Sequence, residues 1–163
     1  MTTWERRIIG ILTLGGSFLG IVIGLTLLIS QNGALAKIVC VPFLLLYAWG
    51  MWCGLLLLES QQRALSQSAW FWGIQIPYFT SPVAGYMFAS GSFANVTYEP
   101  SSSTINFFYL FGSKFEYSLL QADKSLVIGI NLFAVAVLAL LVYRLVSSPP
   151  NNSFKPMPLR GTA

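Results

Sequence analysis

Side chains able to do chemistry are scarce in this chain of 163 residues, and their types close off most reactions. There is no histidine, so hydrolysis by a Ser–His pair is excluded. The acidic residues are Glu5, Glu59, Glu99, Glu116 and Asp123, of which only the last three fall in one segment; a metal site needs several such ligands to converge. A serine–lysine pair would have to come from Ser101, Ser102 or Ser103 with Lys114 or Lys124, and residue type alone speaks for it. Glu116 alternates with Lys114, which reads as the solvated face of a strand. Cys40 and Cys53 lie thirteen residues apart in one apolar segment. At about 100° per residue they sit roughly 140° apart around a helix, so they cannot pair within it and read as packing residues. Asn95-Val96-Thr97 matches a glycosylation sequon, which has meaning only in a secretory-pathway protein. No catalytic residue, metal or cofactor is expected.

The elements that would carry these groups are set by hydrophobicity. Apolar residues make up 55% of the chain and charged ones 9%, with a mean hydropathy of +0.69. A soluble domain carries about 25% charged residues, so this chain has too few to cover a water-facing surface and reads as a membrane protein. The net charge of +4 is spread thinly, with no dense basic stripe to neutralise phosphates, which excludes nucleic acid as a partner.

Crossing about 30 Å of hydrocarbon takes roughly twenty apolar residues in a helix. Residues 8–29 qualify, preceded by Trp4, Arg6 and Arg7, an aromatic and two cations suited to an interface. A cleavable signal peptide competes here, with Ala34-Leu35-Ala36 as its cleavage site, but the run of about 22 apolar residues exceeds the usual 7 to 15. Residues 38–58 form a second span, with Pro42 near its start. The last, within 123–147, ends at Tyr143 and Arg144, followed by a polar, proline-rich tail over 148–163 that reads as disordered.

Residues 70–122 decide the architecture. Trp70 to Phe93 is uncharged but holds Pro77, Pro82, Gly73, Gly85 and Gly91, and each proline costs about 3 kcal/mol inside a helix. Lys114 to Leu119 alternates polar and apolar, placing Phe115, Tyr117 and Leu119 on one face, while Ile105 to Phe111 is aromatic-rich and followed by Gly112-Ser113, a hairpin-like connection. The expected fold is therefore a membrane α protein of three transmembrane helices, with an N-terminal hairpin (1–69) and a small β-rich module (70–122) outside the hydrocarbon. An open sheet edge cannot face lipid, and Trp70 and Trp72 would press the module onto the surface. The alternative is a four-helix all-α bundle. Charge counting favours four crossings, which put Arg6, Arg7, Arg63, Arg144, Lys155 and Arg160 on one side with Lys37, Lys114 and Lys124 on the other. Local proline spacing and alternation favour three.

Gly16, Gly20 and Gly24 recur at four-residue spacing on one helix face, and Gly50 and Gly54 answer on the next. Such faces let helices approach closely, so the first two spans are expected to pack as a hairpin, with a homo-oligomeric contact as the other use. Asn131, a polar residue in the last span, reads as an interhelical hydrogen-bond partner. No charged residue lies mid-span, whereas ion pathways and proton relays place ionisable groups there.

Two segments carry a resemblance. Asn152-Ser153-Phe154-Lys155-Pro156-Met157-Pro158-Leu159-Arg160-Gly161-Thr162-Ala163 resembles the translated ends of reading frames in bacterial integron gene cassettes. The body resembles small bacterial multi-pass inner-membrane proteins through Ile74-Gln75-Ile76-Pro77, Ser81-Pro82 and Gly129-Ile130-Asn131-Leu132. The resemblance implies the bacterial cytoplasmic membrane and no activity. The functional expectation is a non-enzymatic accessory or interaction subunit. Its partners are the lipid bilayer and either another protein or a second copy, engaged through Phe115, Tyr117 and Leu119. The alternative is a four-span pore or small-solute transporter.

Overall fold

The structure, a computed structural model, describes residues 1–31, 33–61 and 63–147. Two long helices dominate it, α1 (Thr3–Ser30) and α2 (Ala34–Leu58), both long and apolar enough to cross a membrane. α1 starts from a capping box: the Thr2 hydroxyl accepts from the Glu5 N–H while the Glu5 carboxylate accepts from the Thr2 N–H. α2 begins four residues before the expected span, so Pro42 lies two turns inside it and leaves the Ile38 carbonyl without its helical donor.

After α3 (Ala64–Gly73) come β1 (Pro77–Thr80), β2 (Ala84–Ala89), β3 (Ser92–Glu99), β4 (Thr104–Phe111), β5 (Lys114–Leu119) and β6 (Val127–Asn131), and then α4 (Leu132–Val146). The strands form one antiparallel sheet in the order β4-β3-β6-β1-β2-β5. Mixed helix and sheet is thus the fold class, and the continuous helix through 70–93 required by an all-α bundle is absent.

Three boundaries differ from expectation. α3 takes Trp70 to Gly73, and the sheet recruits Val127 to Asn131 from the expected last span. That segment, Val-Ile-Gly-Ile-Asn, is rich in β-branched residues and forms a half-buried strand, with Ile128 and Ile130 on the exposed side and Gly129 and Asn131 on the buried one. What remains, α4, has 15 residues, about 22 Å of helix, short of the ~30 Å of a hydrocarbon core. The third difference is at Gly112-Ser113, which does not return β5 onto β4.

Instead, Ser92↔Phe111 in the β3–β4 ladder and Ala89↔Lys114 in the β2–β5 ladder belong to one register. Residues 84–99 and 104–119 are two long strands paired throughout and bent together at an elbow, Ser90-Gly91 opposite Gly112-Ser113. Both elbow glycines have left-handed φ, +89° and +136°, which a residue with a Cβ rarely adopts. Beyond the bend each arm finds a separate neighbour: β2 pairs with β1, β3 with β6, and β1 with β6. The sheet therefore curls, bringing the Lys114 ammonium of one edge strand within 5.7 Å of the Phe108 ring centre of the other.

The sheet lies alongside the helices, not beyond their ends. α3 packs on α1 and α2 through the Trp72 indole bonded to Thr13 of α1 and Phe71 edge-on to Trp49 of α2, with Phe133 of α4 against Trp72, and the sheet packs on α2 with Phe43 stacked on Phe115 at 4.8 Å and Tyr47 against Phe88 at 4.7 Å. Tyr47, Leu57, Phe71, Trp72, Phe88 and Leu141 are fully buried where the layers meet.

Candidate functional site

The elbow is where the helices and the sheet are fastened. Ser113 Oγ donates to the Gly16 carbonyl at 2.5 Å and accepts from the Gly91 N–H; Ser17 and Ser90 hydroxyls meet at 3.1 Å. The Ser90 N–H donates to Gln75 Oε1, whose amide donates to the Phe71 carbonyl, and Tyr47 donates to the Ala89 carbonyl. On α1, Thr13 accepts from the Trp72 indole while donating to the Ile9 carbonyl. These buried polar groups answer one another, as burial requires, and they fix how the layers dock.

The glycines serve this docking in two ways. A Cβ on Gly20 would overlap the Tyr47 ring, one on Gly24 would meet Leu44, one on Gly50 would overlap Phe71 and Ser17, and one on Gly54 would come within 2.8 Å of Leu14. These four lie where α1 meets α2 and, at Gly50, α3. Gly16 has another role: its Cβ would run into the backbone of Gly91 and Ser90, so it seats the elbow.

The interfacial residues separate. Trp4, Tyr143 and Trp70 are exposed, and Glu5 pairs with Arg144 at 2.6 Å, tying the first turn of α1 to the last turn of α4. Arg6 and Arg7 follow in the same first turns of α1. Both ends of the described chain therefore lie together. Trp72, expected at the surface, is buried and bonded to Thr13. Asn131 is not mid-helix: its Oδ1 caps α4 through the Ala134 N–H and accepts from the Ala94 N–H of β3. Asn95, the sequon asparagine, is buried in β3.

The expected partner-facing strand also turns inward. Phe115 is buried on Phe43, and Tyr117 donates to the Ala36 carbonyl, leaving only Leu119 exposed. Alternation marked that face as apolar but could not say whether the neighbour was a partner or the chain's own helix. The exposed aromatic surface is β4, Thr-Ile-Asn-Phe-Phe-Tyr-Leu-Phe, in which every residue is exposed and none is charged. Its lack of alternation is the available signal: no face of this strand is buried by the described residues. At Phe111 it continues into an apolar groove of about 600 Å³ against α1, lined by Ile8, Ile11, Gly15, Phe18 and Leu19.

Among the described residues several titratable groups pair with one another or with hydroxyls. Lys114 pairs with Glu116 at 2.6 Å, and Ser101 donates to Glu99, so the lysine and serine are each engaged with a carboxylate. No group of His, Cys, Asp or Glu among the described residues could hold a metal. Burial pushes the Tyr86 phenol up to about 12 while its O–H donates to the Ile74 carbonyl, so it holds its proton at neutral pH. A cleft of about 370 Å³ between the end of α1 and the sheet has a mixed lining, with Gln31, Glu116 and Lys124 beside Leu27, Met87 and Phe115. Compared with protein-family models, curated proteins and solved structures, the chain matches none.

Proposed function

We propose that this chain is a membrane-resident, non-enzymatic interaction subunit, anchored by α1 and α2 and engaging a protein partner through the edge of β4. The membrane is the bacterial cytoplasmic one, in line with the resemblance of the tail and body. The observation that carries the reading is the uncharged, wholly exposed aromatic edge. Soluble proteins blunt such edges with lysine, proline or a covering segment, and lipid does not accept unpaired strand amides, so β4 as it stands calls for a polypeptide neighbour.

The test uses the full chain carrying a photo-cross-linking side chain at Phe107 on β4 or at Leu45, an exposed position on α2. Resistance of the chain to carbonate extraction from membranes is expected, with polypeptide adducts at Phe107 and lipid adducts at Leu45. Release by carbonate, or lipid alone captured at Phe107, refutes the reading.

A further inference from the structure

We infer that the occupant of the β4 edge is a second copy of this chain, paired antiparallel through β4 about a twofold axis at Phe108; this rests on the edge reading above. The argument begins with the main chain. The Gly112 N–H donates to the Gly91 carbonyl across the elbow, which makes that directly opposed pair a hydrogen-bonded one. In an antiparallel ladder such pairs alternate. Counting along the β3–β4 register from there, Thr104, Asn106, Phe108 and Leu110 turn their N–H and C=O toward β3. Ile105, Phe107, Tyr109 and Phe111 turn theirs outward, where no described strand lies.

A second β4 saturates these groups in one register only. With Phe108 opposite the partner's Phe108, Ile105 faces the partner's Phe111 and Phe107 faces the partner's Tyr109. Every outward group is then bonded, about eight main-chain bonds in all. Shifting by one residue opposes outward groups to inward ones, and shifting by two leaves outward groups unpaired.

Side chains agree with this register. All the apposed residues are aromatic or aliphatic except Thr104 and Asn106, and with no charge in β4 no like charges meet across the axis. Exposure runs from 39% at Leu110 to 71% at Phe111. Taking roughly 150–250 Å² for a whole aromatic side chain, the four in β4 offer about 500 Å² per copy before Ile105, Leu110 and the backbone are added. Edge pairing buries only the part of that surface that faces the neighbouring strand, so the contact is smaller than the about 800 Å² per partner of a standard interface, and the main-chain bonds carry it together with the side chains.

Because the outward N–H groups make no bond to any described strand, proline separates pairing from folding. Proline is tolerated on an edge where its missing N–H faces away from the sheet. Wild-type protein in detergent is expected to have twice the chain mass by light scattering, and Tyr109→Pro the single-chain mass with unchanged thermal unfolding. In a background with Cys40→Ala and Cys53→Ala, Phe108→Cys should oxidise to a covalent dimer. Ile105→Cys should not, since the two copies of residue 105 lie six positions out of register, about 20 Å apart. The cysteine comparison decides the matter even if the proline variant fails to fold.

A single-chain mass for the wild type at every concentration overturns the inference, as does equal cross-linking from Ile105→Cys and Phe108→Cys. So does a dimer that forms only when residues 148–163 are removed, which would assign the edge to the chain's own tail. A Phe107 photo-adduct containing a different protein overturns the second copy but leaves the interaction reading standing, whereas lipid adducts alone take down both.

Discussion

Gly15 and Gly16 are adjacent in α1 and have opposite surroundings, so the same substitution should act with opposite signs. A Cβ at Gly15 meets nothing within 4 Å, whereas one at Gly16 would overlap the Gly91 amide and the Ser90 carbonyl carbon. Those atoms are backbone at the elbow, held by Ser17, Ser113 and Gln75, and have no rotamer into which to withdraw. Alanine in a helix interior is favoured over glycine by about 1 kcal/mol. Gly15→Ala should therefore stabilise by up to about 1 kcal/mol. At Gly16 the same gain is set against forced separation of α1 from the sheet. Overpacking a close-packed site costs about 1–3 kcal/mol, and the loss of the Ser113 bond to the Gly16 carbonyl adds about 1 kcal/mol, so a net loss of about 1–3 kcal/mol is expected. For a chain of this length each kcal/mol moves the midpoint by about 2–4 °C. Thermal unfolding of the full chain in one detergent, followed by tryptophan fluorescence, should show Gly15→Ala above wild type and Gly16→Ala several degrees below it. Equal shifts of one sign would refute the elbow as the point where the layers lock.

Other substitutions probe the remaining fastenings. Asn131→Ala removes the cap of α4 and the acceptor for the Ala94 N–H, which should cost about 2–3 kcal/mol and give the Ala94 amide faster hydrogen exchange. Glu5 is held below the usual carboxylate range, first by the Thr2 N–H donated to it and further by the Arg144 guanidinium. A carboxyl depressed in the folded state contributes stability that is present above its unfolded pKa and is lost as pH falls through the folded one. Acidification below the ordinary carboxylate range should thus lower the unfolding midpoint of the wild type more than that of Glu5→Gln; parallel pH profiles would show that the α1–α4 tie contributes nothing.

Helix and strand content were legible where local chemistry is self-sufficient. The two apolar runs had to be long helices, because only a helix satisfies every amide within a segment that offers no polar side chains. Lys114 to Leu119 had to be a strand because polar and apolar residues alternate, and the glycines of α1 and α2 marked a face of close approach. Gly112-Ser113 could not be read correctly, since the same dipeptide serves as a turn or a bend. Which one it becomes depends on Gly91, twenty-one residues away, bending in step.

The sequence by itself therefore determined the apolar hairpin, the strand-forming middle and the absence of histidine chemistry, all of which follow from composition and short-range period. Tertiary structure alone decided that the sheet lies alongside the helices, that Phe115 and Trp72 face inward, and that β4 is exposed along its whole length. Period fixes which residues share a face, but what covers that face depends on contacts between distant segments, and those are set by the fit of Gly16 to the elbow and of Phe43 to the sheet.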